Sequence, residues 1–162
     1  MARKTASPGT VIACIAVLVC IPAVGWGEVY RSNEIGLALE PISSIRTDEY
    51  PYYLEITREE GRETKTLFHD GVQIRLWVRT PLDSGGSKVV EYRAGSVVHS
   101  TLYDGSENPS EIRTYEDDTL AERLVYTYTG GRISSVFRYD GEGSLLEQRM
   151  YRHDTEGRLL GY

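Results

Sequence analysis

The chain has little of what small proteins use for cross-linking or for chemistry. It carries two cysteines, Cys14 and Cys20, in 162 residues. Both fall in the N-terminal stretch 1–27, so residues 28–162 have no disulfide, no thiolate metal site and no cysteine nucleophile. Positive charge is also scarce: 18 Lys and Arg stand against 24 Asp and Glu, a formal net charge of −6. Phosphate binding is driven by cationic neutralisation, so nucleic acid and anionic lipid are excluded as expected partners. The histidines, His69, His99 and His153, are too scattered for a metal site. No glycine-rich loop follows a strand and opens a helix, which removes nucleotide binding. No convincing helix is read after residue 27, and no cofactor is expected.

One apolar run is present, and it lies at the start. Arg3 and Lys4 precede Val11–Ile21, Pro22 ends the run, and Ala23-Val24-Gly25 has the small-x-small form of a signal peptidase site. Residues 1–27 are therefore expected to be a removed signal peptide. The mature chain would begin at Trp26, or at Glu28 if Gly25-Trp26-Gly27 is used. A membrane span needs about 20 apolar residues, so none is expected in the mature chain. The expected localisation is exported, periplasmic or secreted. A lipid anchor on Cys20 is the alternative, although Ile21-Pro22-Ala23-Val24 after it is apolar where a polar tether would stand. Loss of Arg3 and Lys4 with the leader takes the net charge from −6 to −8.

Aromatics then recur at a near-fixed step. Tyr92, Tyr103, Tyr115, Tyr126, Tyr139, Tyr151 and Tyr162 are separated by 11, 12, 11, 13, 12 and 11 residues. Between them lie turn clusters. Phe137-Arg-Tyr139-Asp140-Gly-Glu-Gly143-Ser-Leu145 and Tyr151-Arg-His153-Asp154-Thr-Glu-Gly157-Arg-Leu159 share one form, and Tyr126-Thr-Tyr128-Thr-Gly-Gly-Arg-Ile133 is one residue shorter in the turn. Aromatics at i and i+2 share a strand face. Asp starts a turn by bonding its own downstream backbone, and Gly supplies the positive φ that closes it.

This pattern resembles the YD repeat of the RHS and wall-associated repeat proteins, well over 126–162 and fairly over 101–125. Tyr103-Asp104 is followed by what reads as a longer turn through Asn108-Pro109, and Tyr115-Glu116-Asp117-Asp118 lacks the Gly. The resemblance implies exported proteins built from antiparallel strands in a continuous β ribbon. It also implies that Tyr126, Tyr128, Phe137, Tyr139, Asp140, Gly143, Tyr151, Asp154 and Gly157 are structural.

Upstream, Tyr53–Thr57, Thr64–Phe68, Val72–Val78 and Lys88–Arg93 read as strands, with turns at Glu59–Gly61 and Asp70-Gly71 and a loop over Pro81–Gly86. The predicted fold is all-β: an antiparallel meander of about ten short strands from tandem repeats of about 12 residues, curled as an open sheet or half-barrel. Residues 28–162 form one domain, with 28–60 an irregular cover segment plus first strands and 61–162 the repeat meander. Alternation puts Ile133, Ser135, Phe137 and Tyr139 on one face with Leu124, Tyr126 and Tyr128, and Arg132, Val136 and Arg138 on the other. That aromatic face is expected to be buried, by curling, by residues 28–60, or against a second chain in a homo-oligomer. A transmembrane barrel needs longer strands, of about 9 to 11 residues, with an apolar outer face, where arginines stand here.

Chemistry finds little footing. The carboxylate pairs Glu59-Glu60, Asp117-Asp118, Asp140/Glu142 and Asp154/Glu156 all sit in predicted turns, where no cleft would raise a pKa for acid–base work. A calcium site needs six or more oxygens, and a loop such as Asp140–Gly143 offers two or three. Tyr50, Tyr52 and Tyr53, after Asp48-Glu49, remain as a candidate ligand or partner surface. The expected function is a non-catalytic, exported binding protein engaging a protein or an envelope polymer such as a glycan or peptidoglycan. The alternatives are a structural or remnant unit of a larger YD-repeat assembly and, less favoured, an envelope-directed hydrolase.

Overall fold

The computed structural model describes residues 27–161. Of the proposed leader, only Gly27 is described, and Cys14, Cys20, the Ala23-Val24-Gly25 site and Tyr162 lie outside the described residues. The strands are β1 Glu28–Arg31, β2 Tyr52–Glu59, β3 Arg62–His69, β4 Val72–Pro81, β5 Ser87–Arg93, β6 Ser96–Tyr103, β7 Pro109–Glu116, β8 Thr119–Thr129, β9 Arg132–Asp140, β10 Leu145–Met150, β11 Arg152–His153 and β12 Leu159–Gly161. The first ten form one antiparallel sheet in strict sequence order, a meander open at both ends, and β11 and β12 pair separately.

Turn chemistry dictates this order. Glu60-Gly61, Asp70-Gly71, Ala94-Gly95, Asp117-Asp118 and Gly130-Gly131 all have positive φ at both positions, the mirror-image turn that matches strand twist. The remaining links within the sheet beyond β2 are loops of four or five residues. Asp104 Oδ1 accepts the Ser106 and Asn108 N–H groups at 2.8 and 2.9 Å. Asp140 takes Glu142 and Ser144 in the same way, and Asp154 takes Glu156 and Arg158. The Asp104 turn is thus no longer than the other two. Glu107, at φ 62, stands in the left-handed slot that Gly143 and Gly157 fill, which hid the equivalence in the sequence.

Two of these aspartates titrate low. The Asn108 amide, then the Ser106 amide, holds Asp104 below the usual range, and the Arg158 side chain and amide do so for Asp154. A depressed folded value means a contribution that is whole above the ordinary Asp range and lost as pH falls through the folded value. The melting temperature is therefore expected to drop as acid is added below about pH 4. A double Asp104→Asn, Asp154→Asn variant keeps the acceptor but cannot titrate, and should flatten that limb. A slope equal to that of the unmodified chain would contradict the assignment.

The aromatic face departs from expectation. Tyr128 faces Ile133 across the β8–β9 turn, but a bulge at Ser134 then sets Thr127 against Ser135, Tyr126 against Val136 and Val125 against Phe137. One extra residue flips every later side chain to the other side of the sheet. Leu124, Tyr126 and Tyr128 therefore lie opposite Phe137 and Tyr139. Similar shifts interrupt five other pairings of the ten-stranded sheet, from β3–β4 onward, and the β11–β12 pair. Followed across the sheet, Tyr92, Tyr115 and Tyr139 fall on one face, and Tyr103, Tyr126 and Tyr151 on the other. No single aromatic face exists for a second chain to cover.

Burial follows from this division. Tyr53, Leu54, Ile56, Leu67 and Val78 are the buried apolar residues among those described, all within β2–β4. The repeat aromatics Tyr126, Tyr128, Phe137, Tyr139 and Tyr151 are half-buried, not core. Ion pairs bridge them on both faces, such as Arg138–Glu122 at 2.5 Å and Arg113–Glu111 at 2.5 Å. Arg123 lies over the Tyr139 ring at 4.4 Å.

Residues 32–51 wrap the start of the sheet. Pro41 bridges Tyr30, and Ser44–Glu49 forms a 3-10 helix, the one helical element among the described residues. It was not foreseen because it is held by polar ties, the Arg46–Glu49 ion pair and a Thr47 hydroxyl to Ser44 C=O hydrogen bond, with no apolar period. Ile35–Glu40 is cover and not a strand: Gly36 rests on Trp77, where a Cβ would stand 2.6 Å from Cη2.

Candidate functional site

The tyrosine cluster divides. Tyr52 and Tyr53 are successive strand residues and point to opposite faces. Tyr52 stacks on His69 with centroids 4.4 Å apart, and Tyr53 stacks on Phe68 at 4.7 Å. Tyr53 is only 8% exposed. Tyr50, the residue after the 3-10 helix, shares with Tyr53 a shallow cleft of about 510 Å³ rimmed by Asp48, Glu49 and Asp70. Tyr52 takes no part in it. The acidic rim and the buried ring leave little aromatic surface for a ligand there.

A second cleft, of about 340 Å³, opens on the face that carries Leu54, Ile56 and Leu67. Its floor comes from four successive strands: Glu63 and Lys65 on β3, Trp77 and Arg79 on β4, Val89 on β5 and Tyr103 on β6. Register places them side by side, since Glu63 faces Arg79, Lys65 faces Trp77 and Arg79 faces Val89. Ile35 and Gly36 form the wall, with Gly36 at φ +86 covering the benzo end of the indole. The rest of Trp77 lines the cleft, half-buried.

Charge of both signs surrounds the aromatic pair. Lys65 Nζ lies 3.3 Å from Glu63 Oε1. The Arg79 guanidinium sits 5.7 Å from the centroid of the Tyr103 ring and pairs with Glu107. Burial pushes the Glu63 carboxyl up, but the hydrogen bond from Arg58 and the nearby Lys65 outweigh it, and the group ends below its ordinary value. Glu28, Glu49, Asp104, Glu147 and Asp154 are likewise held low, chiefly by arginine partners or, in Asp104, by backbone amides. No group of three His, Cys, Asp or Glu gathers among the described residues. The cleft offers flat aromatic surface and hydrogen-bonding groups of both charges.

Sequence reasoning missed Trp77. It was read only as part of a β-prone run. The available signal was its company: Arg75, Trp77 and Arg79 share a period of two, so a tryptophan alternates with arginines on one face of its strand. No helix among the described residues is long and apolar enough to cross a membrane. No protein-family model matches the chain, and no curated protein is similar to it.

Proposed function

We propose that the chain is an exported, non-catalytic binding protein whose Trp77–Tyr103 cleft takes a sugar ring of a cell-envelope glycan, peptidoglycan included. The observation that carries this reading is a half-buried tryptophan sharing a mixed-charge cleft with a tyrosine, beside the buried cluster of Leu54, Ile56 and Leu67. A sugar presents an apolar C–H face, which stacks on aromatic rings, and a rim of hydroxyls, which Glu63, Lys65 and Arg79 can bind. The low-held carboxylates favour binding over hydrolysis, because glycoside cleavage needs one carboxyl kept protonated. The leader-like start at 1–27 supports export.

The test is retention of the full chain on insoluble peptidoglycan, followed by tryptophan fluorescence with soluble fragments. Trp77→Ala is expected to cut retention about tenfold, as expected for one aromatic anchor. Tyr103→Ala, outside the buried core, repeats the loss without lowering stability as far. A chain that no envelope glycan retains, or a Trp77→Ala variant that binds like the unmodified chain, would sink the proposal.

A second reading is a unit of a larger YD-repeat assembly. It is favoured by the Asp104, Asp140 and Asp154 loops, which close with the same hydrogen bonds at successive aromatic–Asp or His–Asp steps. Pull-down from envelope extract separates the two readings by whether a glycan or a repeat protein is recovered.

A further inference from the structure

The two outer edges of the sheet differ. β1 is covered by its own chain: Arg31 N–H donates to Glu40 C=O at 2.8 Å, Leu39 N–H to Arg31 C=O at 2.9 Å and Ile42 N–H to Val29 C=O at 2.9 Å. β10, at the far end, pairs with β9 alone. Tyr151 N–H donates to Ser134 C=O at 2.9 Å, so by alternation Arg149 and Glu147 also direct their backbone groups at β9. Gln148 and Met150 then direct theirs outward, with no strand to meet them.

Free edges are normally blunted by lysine, proline or a covering segment. β10 has no lysine and no proline. It exposes apolar side chains instead, with Leu146 at 55% and Met150 at 59%. A cleft of about 690 Å³ runs along it, lined by Glu147, Gln148, Arg149, Met150, Tyr151 and Leu159.

The sequence of β10 is complementary to itself when reversed. Set antiparallel about Gln148, two copies place Glu147 against Arg149, Gln148 against Gln148 and Leu146 beside Met150. Gln148, whose backbone groups point outward, becomes a hydrogen-bonded pair on the axis. Glu147 and Arg149 become non-hydrogen-bonded pairs, where opposed side chains come closest. Within one chain Arg149 Nε already lies 2.6 Å from Glu147 Oε1, so the dimer would close a ring of four alternating charges. Moving the axis one residue either way sets Glu147 against Glu147 or Arg149 against Arg149.

We propose that β10 seats a second copy of this chain, paired antiparallel about a twofold axis through Gln148, so that two ten-stranded sheets run on as one. The covered β1 edge stops the assembly at two and prevents a fibre. This does not rest on the Trp77 cleft, which lies on other strands.

Sedimentation equilibrium of the full chain tests it, with a concentration-dependent dimer as the expected result. Glu147→Arg and Arg149→Glu, each alone, replace both attractive pairs with like charges and should raise the dissociation constant about tenfold. Mixing the two variants pairs an all-arginine edge with an all-glutamate edge and should restore a dimer, now a heterodimer. Gln148→Pro removes the central N–H and should give a monomer whose circular dichroism remains that of a sheet. A monomer at every concentration, a dimer that neither charge variant weakens, or a mixture that stays monomeric would overturn the assignment.

Discussion

Leu67→Ala is expected to cost about 3 to 4 kcal/mol of folding free energy, the middle of the range for a fully buried leucine. Leu67 is 0% exposed and sits on β3 between Leu54 of β2 and Arg75 of β4. With Leu54 and Ile56 it forms the buried cluster, against which Tyr30, Tyr52, Ile74 and Trp77 pack. Strands hold its backbone on both sides, so the surroundings cannot collapse into the space left behind. Domains of this size are stable by only about 5 to 15 kcal/mol, so one such loss is a large fraction. Urea denaturation followed by circular dichroism reads it. Phe137→Ala, in the half-buried repeats, should cost about 1 to 2 kcal/mol because less surface leaves water there. Equal losses at the two positions would show that the core is not where β2–β4 place it.

Gly86→Ala is expected to destabilise by about 2 to 4 kcal/mol, from two sources acting together. Gly86 has φ +81, a conformation that an alanine adopts only with strain. A Cβ there would also stand 2.1 Å from the Tyr103 carbonyl oxygen and 2.8 Å from the Asp104 carbonyl carbon. Both are backbone atoms at the mouth of an adjacent loop and cannot swing aside. Gly85 separates the two effects. It has φ +82 with nothing within 4 Å of a built Cβ, so Gly85→Ala should cost only the backbone strain, about 1 kcal/mol. A Gly85 variant as damaged as the Gly86 variant would remove the contact from the explanation. Because Tyr103 lines the Trp77 cleft, Gly86→Ala should weaken glycan retention as well, whereas Gly85→Ala should not.

The two predictions divide along a line that also runs through the reading of the sequence. Gly86 lies in a loop whose place is set locally: Pro81–Gly86, Asp70-Gly71 and the Asp140 and Asp154 turns are each dictated by between two and six consecutive residues. Such turns, separated by β-prone runs of near-constant length, leave one arrangement, sequential antiparallel strands. Leu67 is different. It belongs to an alternating strand like the others, and nothing local distinguishes it from Val90 or Val125, which remain half-buried. What buries it is the cluster across neighbouring strands: Leu54 and Ile56 of β2 beside it, with Tyr30, Tyr52, Ile74 and Trp77 packed around them.

The all-β antiparallel meander and most of its turn positions were thus determined by the sequence alone, because they depend on backbone propensities that act over a few residues. The tertiary structure alone decided the faces, the core and the candidate site. Single bulged residues such as Ser134 invert a strand's phase without changing its composition, and so spread the tyrosine ladder over both faces. The cleft that unites Glu63, Lys65, Trp77, Arg79, Val89 and Tyr103 exists only once β3 to β6 lie side by side, and register across strands is a relation that no single stretch of sequence contains.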